Sequence, residues 1–248
     1  MRRAVCAALA ALSLTSPATA FDVASMTETE IGQLEAFIRD YLVENPGVIA
    51  EAQRNLVAAG QASQRDTDRR LVAEHMSSLH ASEGLPVLGN PDGAFEITVF
   101  LDYKCGLCRQ QLSDLKAFIA ANEEVRVVVR EHAALGTESL NGALFALAVH
   151  EMEGQGAYAR IQSALMTTRM QLSPAALRRI AEDNGLDPEA VLQQTRSSAI
   201  ADIIRQTRRV ATDLNLQNPP SLVIEDSIRR GFTSLEELQA MYDNPTLR

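Results

Sequence analysis

The chain has little cysteine, little basic charge and few long apolar runs. Its 248 residues include three cysteines and no tryptophan, and 23 lysines and arginines stand against 32 aspartates and glutamates. The resulting net charge of −9 argues against a nucleic-acid partner, because such a partner requires a positive surface. The lack of tryptophan carries no functional information. The small number of cysteines matters most, because it limits the chemistry that cysteine side chains can perform in this protein.

A long apolar run occurs at the N-terminus, and no second one follows. Two arginines precede the run AVCAALAALSL, which is well short of the roughly 18 residues that span a bilayer. A cleavage-like A-x-A pattern ends at Ala20. We therefore predict a signal peptide over residues 1–20, which removes Cys6, and a soluble mature protein that is exported to the periplasm or a comparable compartment. An uncleaved membrane anchor is the alternative.

A helical pattern extends from Thr27 to about residue 82. Thr27 and Glu30 have the spacing of a capping box, and Asn45-Pro46 ends one helix and starts the next. We predict a helical N-terminal appendage over residues 21–84 that mediates homo-oligomer formation, because it has little apolar material outside two stripes. Alternatively, the stripes pack on each other or on the rest of the chain. The stripes consist of Ile31, Leu34, Ile38 and Leu42, and of Leu71, Val72, His75, Met76 and Leu79.

The pattern changes after the turn-rich stretch EGLPVLGNPDG. Residues 95–101 alternate as a strand does, and VRVVV at residues 125–129 predicts a second strand. Between them, apolar residues recur at helical spacing. We therefore expect a strand–helix–strand unit with a right-handed parallel crossover. The helical positions are Cys108, Leu112, Leu115 and Ile119.

The rest of the chain predicts a helical insertion and then a return to the sheet. Residues 138–214 are helical in pattern, with Ser173-Pro174 and Asp187-Pro188 as helix starts. The segments SLVIED and SIRRGF predict two short strands joined near Asp226, followed by a helix capped at Thr233. Residues 85–248 thus form one α/β domain, with the order β-α-β, helical insertion, β-β-α.

The two mature cysteines lie in the segment FLDYKCGLCRQQL, where the strand ends and the helix begins. A disulfide between Cys105 and Cys108 closes a ring of about four residues, worth roughly 2 kcal/mol against roughly 3 for a fifteen-residue loop, so a purely structural role is disfavoured. A closed zinc site requires four ligands, and we predict no bound metal or cofactor. Two-coordinate Cu(I) on the thiolates stays an alternative. The four histidines are scattered over separate elements: His75, His80, His132 and His150.

A redox role fits the position of both sulfurs. Cys105 stands at the start of the predicted helix, where unpaired backbone N–H groups and the helix dipole should lower the pKa of its thiol and make it the attacking sulfur. Cys108 lies one turn further on, facing the core with Leu112 and Leu115. It would therefore resolve the mixed disulfide that Cys105 forms.

These features resemble the DsbA family of thioredoxin-fold oxidoreductases. FLDYKCGLCRQQL is similar to its active-site segment, VLGNPDG to its lead-in and NPPSLVIED to its cis-proline loop. The resemblance implies that Cys105 is the nucleophile, Cys108 the resolving cysteine and Pro220 the cis-proline, with Pro219 and Pro220 contacting substrate. The implied activity is formation or isomerisation of disulfides in cysteine-containing exported proteins, coupled to a membrane redox partner.

Two departures from the family pattern concern the site itself. Gly106-Leu107 stands between the cysteines where the family's best-known oxidases have Pro-His, and Pro219 precedes the cis-proline where Thr or Val is more usual. The helical appendage resembles a narrower branch related to the suppressor-of-copper-sensitivity protein ScsC, in which self-association and copper linkage both occur. The alternative function is therefore a non-catalytic Cu(I)-binding envelope protein that uses the same cysteines.

Overall fold

The computed structural model describes residues 25–247, so the predicted signal peptide, with Cys6, lies outside the described residues. The described chain has two compact units, which meet in sequence at Ala59 and Gly60. In chain order the elements are α1 (Glu28–Glu44), α2 (Pro46–His80), β1 (Val87–Gly89), β2 (Phe95–Leu101), α3 (Gly106–Ala121), β3 (Val125–Glu131), α4 (Thr137–Thr167), α5 (Pro174–Asp183), α6 (Pro188–Gln194), α7 (Ser198–Asp213), β4 (Ser221–Ile224), β5 (Ser227–Arg230) and α8 (Leu235–Asp243).

The first unit contains helix α1 and the first part of α2. The expected capping box is present, because the side chain of Thr27 accepts the N–H of Glu30 and the carboxylate of Glu30 accepts the N–H of Thr27. Helix α1 ends at Asn45, and Pro46 begins α2. No residue of α1 is buried, so the first predicted stripe is largely exposed to solvent.

The second unit is built on a five-stranded mixed sheet with the order β1-β3-β2-β4-β5. Strands β2 and β3 are parallel and joined through α3, which confirms the strand–helix–strand unit. Strand β4 pairs antiparallel with β2, and β5 pairs antiparallel with β4, as the two short segments predicted. Strand β1 was not predicted, because its three residues lie inside the turn-rich stretch and are too few to show alternation.

Helices cover both faces of the sheet. On one face a large apolar core includes residues of α3, α4 and α8, together with inward residues of the strands. On the other face Val72 and Leu79 of α2 are buried with Phe100 of β2 and Val210 of α7. Two residues of the second predicted stripe, Val72 and Leu79, are therefore covered by the chain's own sheet, whereas Met76 is 43% exposed. The helical insertion predicted at 138–214 is observed as α4 to α7.

Two polar contacts also hold the second half of α2 to the sheet. The guanidinium of Arg230 in β5 makes two hydrogen bonds of 2.9 Å to the carboxylate of Asp68. Arg130 in β3 is fully buried, and its Nη2 donates to the carbonyls of Ser78, Leu79 and Ala81 at the end of α2. The two compact units thus meet within α2. The boundary predicted between residues 84 and 85 instead marks the change from helices to sheet.

Candidate active site

The cysteine pair lies where β2 gives way to α3. Cys105 is the N-cap residue of α3, with extended backbone angles, and its Sγ accepts the N–H of Cys108 at 3.2 Å. A sulfur in this position receives one of the unpaired backbone donors of the first helical turn and faces the positive end of the helix dipole. Cys105 thus lies at the predicted junction of strand and helix, with its sulfur against the first turn of α3.

Cys108 has no exposed surface. It is 0% exposed and belongs to the same apolar core as Leu112 and Leu115. Burial raises the pKa of the Cys108 thiol well above its ordinary value, and its contact with the sulfur of Cys105 adds to that rise. Both cysteines are free thiols. The pair therefore consists of one accessible sulfur and one enclosed, protonated sulfur.

The predicted proline loop lies opposite Cys105. The Pro219–Pro220 peptide bond is cis, which confirms that part of the prediction. The Cys105 thiol donates to the carbonyl oxygen of Pro219 at 3.4 Å. Strand β4 begins at Ser221, and its pairing with Phe100 of β2 brings this loop to the cysteines. Because proline has no N–H, Pro219 offers only a hydrogen-bond acceptor to Cys105 or to a bound polypeptide.

The basic residue beside Cys105 in sequence is already paired. The Nζ of Lys104 lies 2.9 Å from Oε2 of Glu138, and the same oxygen accepts the N–H of Leu172. The lysine charge is thereby offset by a carboxylate from the start of α4. Since Gly106-Leu107 supplies no cation either, the residues next to Cys105 in sequence offer it no unpaired positive charge.

Three exposed apolar side chains belong to segments that are attached to the active-site turn and helix. Leu107 lies between the cysteines and is 52% exposed, and Leu135, also 52% exposed, donates its N–H to Asp102. Met170 is 39% exposed and lies just after Met166, whose carbonyl accepts from Arg109 of α3. The three exposed apolar side chains are those of Leu107, Leu135 and Met170. The sequence did not single them out, because the segments converge only in the fold.

Two buried acids near the cysteines were also missed. Asp102, at the end of β2, is 1% exposed, and Glu131, at the end of β3, is 2% exposed. The hydroxyl groups of Tyr103 and Tyr158 donate to Glu131 at 2.6 and 2.7 Å. Burial nevertheless raises the pKa of Glu131 to about 7. The sequence signal that could have identified both residues is a carboxylate at the end of an apolar strand.

The described histidines occupy four separate places. His75 pairs with Asp213 and His80 with Glu96, while His132 and His150 pack against aromatic rings. Within residues 25–247 there is no group of three or more histidine, cysteine or acidic side chains arranged to hold a metal ion. In the same range no helix has the length and apolarity needed to cross a membrane.

The strand order, the dithiol at the start of α3 and the cis-proline beside it together define a thioredoxin-fold protein. The chain belongs to the thioredoxin family, since the family model described as Thioredoxin matches residues 81–244. No curated protein matches the chain in sequence.

Solved structures extend this comparison. A thioredoxin-like oxidoreductase from Silicibacter pomeroyi DSS-3 is 32% identical, with a TM-score of 0.64 over 69% of this chain and 97% of that one. The thiol-disulfide exchange protein α-DsbA2 from Wolbachia pipientis is 24% identical, with a TM-score of 0.68 over 73% and 97%. Proteus mirabilis ScsC in a transitional conformation is 20% identical, with a TM-score of 0.65 over 90% and 99%. The expected resemblance to DsbA and ScsC is thus confirmed in the fold.

Proposed function

We propose that this protein is an exported thiol–disulfide oxidoreductase that forms or isomerises disulfides in other proteins. The observation that carries the proposal is the pairing of an accessible Cys105 at the start of α3 with a buried Cys108 one turn later, opposite the carbonyl of Pro219. Thiol–disulfide exchange requires one sulfur that can be attacked and a second that is close and shielded. The names of the similar oxidoreductase and exchange proteins agree with this chemistry.

In the oxidising direction, a substrate thiolate attacks Sγ of Cys105 in the oxidised pair. The bond between Cys105 and Cys108 breaks, and the electron pair leaves on Cys108, which then takes up a proton. A second substrate thiolate attacks the substrate sulfur of the mixed disulfide and releases Cys105. The substrate has then lost two electrons and the cysteine pair has gained them.

In the isomerising direction, Cys105 begins as the attacking thiolate. It opens a wrong substrate disulfide and forms a mixed disulfide, which a different substrate thiol resolves without net transfer of electrons. If no such thiol reacts, Cys108 loses its proton and attacks Sγ of Cys105, and the substrate leaves reduced. Because burial raises the pKa of the Cys108 thiol, this escape requires that thiol to be deprotonated first.

The proposed substrates are cysteine-containing exported proteins in an unfolded or partly folded state. The exposed apolar side chains of Leu107, Leu135 and Met170 suit chains whose own apolar residues are still exposed. The carbonyl of Pro219 can accept a backbone N–H from such a chain. Pro219 and Pro220 therefore stay the proposed substrate-contacting residues. A membrane redox partner is proposed as well, because each net oxidation leaves the cysteine pair reduced and it must be regenerated.

A titration against reduced and oxidised glutathione tests the proposal directly. The mature protein should show one reversible two-electron couple between about −120 and −270 mV, the range of known redox proteins. The Cys105→Ser variant should show none. If the wild-type protein shows no couple in that range, an oxidoreductase role is wrong and Cu(I) binding by the two sulfurs becomes the better account.

A further inference from the structure

The side chain of Arg230 holds the start of the proline loop, the segment 215–220 between α7 and β4. Its Nη2 donates to the carbonyl of Leu214 at 3.1 Å, and its Nε donates to the carbonyl of Asn215 at 3.3 Å. Leu214 is the C-cap residue of α7, and Asn215 has a positive φ of 56°. The guanidinium therefore fixes the turn through which the chain leaves the helix and enters the loop.

The backbone of the same strand holds the end of the loop. Ser221, the residue after Pro220, lies opposite Arg230 in the pairing of β4 with β5. The N–H of Gly231 donates to the carbonyl of Pro220 at 2.9 Å. Because Arg230 supports the start of the loop with its side chain and the end with its strand, a shift of this residue would move the whole loop.

Asp68 of α2 sets the position of the Arg230 side chain. Its Oδ2 accepts Nη1 and its Oδ1 accepts Nη2 of Arg230, both at 2.9 Å, and Oδ1 also accepts Nε2 of Gln64 at 2.9 Å. Asp68 is only 5% exposed. A two-pronged contact between guanidinium and carboxylate fixes the direction of both groups as well as their distance. This support comes from a helix that precedes the residues matched by the family model, 81–244.

The supported loop is the one that meets the nucleophile. The carbonyl oxygen of Pro219 lies 3.4 Å from the sulfur of Cys105. Leu107 and Pro219 line a groove of about 1270 Å³, and Asp68 and Arg230 line the same groove. A polypeptide that contacts Pro219 would therefore lie in a groove whose wall includes the ion pair.

From this geometry we infer that Arg230 is a positioning residue for thiol–disulfide exchange with polypeptides, which holds the Pro219 carbonyl beside Cys105, and that Asp68 acts through Arg230. The inference rests on the proposed function. Both residues act on the backbone of the loop, so their effect reaches substrates whose N–H groups bind the Pro219 carbonyl. A small thiol needs only the sulfur of Cys105. A misplacement of about 1 Å in a substrate-positioning group can lower a rate by about a hundredfold.

Two reactions of the oxidised mature protein separate an effect on the loop from a general loss of structure. The first is reduction by a linear peptide with two cysteines, and the second is reduction by dithiothreitol, a small dithiol. Asp68→Asn keeps the size of the side chain but removes the charge that holds Arg230. Its second-order rate constant should fall at least about fivefold with the peptide and stay within about twofold of wild type with dithiothreitol. Equal falls in both reactions, or a fall in neither, would contradict the inference.

Asp66→Asn is the matched control, because it makes the same change of charge two residues away, on an exposed part of α2. Both of its rate constants should stay within about twofold of those of wild type. If its rate constant with the peptide falls as far as that of Asp68→Asn, net charge is responsible rather than the contact with Arg230, and the inference is wrong.

Arg230→Met tests whether the two residues act as one unit. It removes both side-chain contacts with the loop, so its rate constant with the peptide should fall at least as far as that of Asp68→Asn. Adding Asp68→Asn to Arg230→Met should change this rate constant by less than about twofold, because residues that act through one contact are not additive. Fully additive effects would show that Asp68 does not act through Arg230.

Amide hydrogen exchange measures the loop directly. Exchange at Gly231, whose N–H is bonded to Pro220, should be at least about tenfold faster in Asp68→Asn than in wild type. Exchange at His132, whose N–H is bonded to Leu101, should be unchanged. Unchanged exchange at Gly231 would contradict the positioning role.

If Asp68→Asn does not fold, Arg230→Lys takes its place. Lysine keeps a cation for Asp68 but lacks the planar fork that reaches the carboxylate and the loop carbonyls together, so the rate constant with the peptide alone should fall. A rate constant equal to that of wild type would overturn the inference. A wild-type protein without any glutathione couple would instead overturn the proposed function, so the two failures are distinguishable.

Discussion

The thiol of Cys105 and the carbonyl oxygen of Pro219 lie 3.4 Å apart, although 114 residues separate them in the chain. Two pieces of backbone geometry create this contact. Cys105 follows the end of β2, and β4, which begins just after Pro220, pairs antiparallel with that strand. The helical insertion lies between the two strands in sequence. Its length can therefore vary without moving the sulfur away from the proline loop.

The first prediction concerns which sulfur reacts. At about pH 6 the reduced mature protein should be alkylated at Cys105 well before Cys108, because Cys108 is fully buried and its pKa is raised, and only thiolates react. Mass spectrometry of peptides after brief iodoacetamide treatment measures the order. In the Cys108→Ser variant, mixed disulfides should accumulate, since the resolving sulfur is absent. Preferential labelling of Cys108, or a variant that traps no partner, would overturn the assignment.

The second prediction concerns the residue between the cysteines. Leu107→His places an imidazole at an exposed position in the first turn of α3, where its cationic form would stabilise a thiolate at Cys105. The equilibrium with glutathione should shift toward the reduced pair by about tenfold, or about 1.4 kcal/mol. Leu107→Gln, which is polar but uncharged, is the matched control and should shift it little. Equal shifts in both variants would show that the charge is not responsible.

Much of the domain could be predicted from sequence because its signals are local. The change from period two to helical period at Cys105 fixes the strand end and the helix start within a few residues. Ser173-Pro174 and Asp187-Pro188 are indeed the starts of α5 and α6. The last helix is capped by Ser234 rather than Thr233, because Thr233 instead donates its N–H to Gln111 of α3.

Other features could not be predicted, because they depend on contacts between distant segments. Three backbone N–H groups and the hydroxyl of Ser139 donate to Asp102, and three of these donors lie 32 to 37 residues away, in the loop after β3 and at the start of α4. The tyrosines that contact Glu131 lie 28 and 27 residues from it. Polar stretches mislead as well: the segment GQASQRDTDRR separates the two apolar stripes, yet α2 runs through it without a break. Its Asp68 finds a partner in β5, which no local pattern shows.

The third prediction is a pH dependence of stability caused by Glu131. Its pKa is raised from 4.5 to about 7 by burial, so the neutral form is favoured in the folded state. This stabilisation is complete below about pH 4.5 and is lost as pH rises through about 7. Urea unfolding should therefore show wild type losing about 2 to 3 kcal/mol relative to Glu131→Gln between pH 5 and 8.

Glu138→Gln is the control for this experiment. The pKa of Glu138 is lowered, because Lys104 and the N–H of Leu172 hydrogen-bond to its carboxylate. The group is therefore ionised throughout pH 5 to 8, and its variant should differ from wild type by a constant amount. A parallel pH dependence for wild type and Glu131→Gln would show that Glu131 does not titrate in this range.

The fourth prediction concerns the clamp on helix α2. Arg130→Met should lower the free energy of unfolding by about 3 kcal/mol, because three carbonyls at the helix end lose a buried donor. Arg126→Met is the control. Arg126 bonds to Glu96 and Ser82 at a less enclosed site, so this variant should lower the free energy of unfolding clearly less. Urea unfolding compares the two. Similar losses would show that the buried clamp contributes no more than an ordinary polar contact.

The last prediction is that the mature protein self-associates through the first unit. Ile31 and Ile38 lie on one face of α1 and are 40% and 47% exposed, and Phe37 and Tyr41 on the same helix are also exposed. Burying a fully exposed isoleucine side chain contributes roughly 1.5 to 3 kcal/mol, so a second copy that covers the exposed part of this stripe gains a fraction of that for each residue. Light scattering should find an oligomer for wild type and a monomer for the double variant Ile31→Lys and Ile38→Lys. Met152→Lys changes an apolar residue of equal exposure, 40%, on α4 and should leave the oligomer intact. A monomeric wild type, or an oligomer that survives both lysines, would contradict the prediction.

An oligomer would place several Cys105 sites on one particle, which suits the reshuffling of wrong disulfides, since two bonds of one substrate can then be engaged at once.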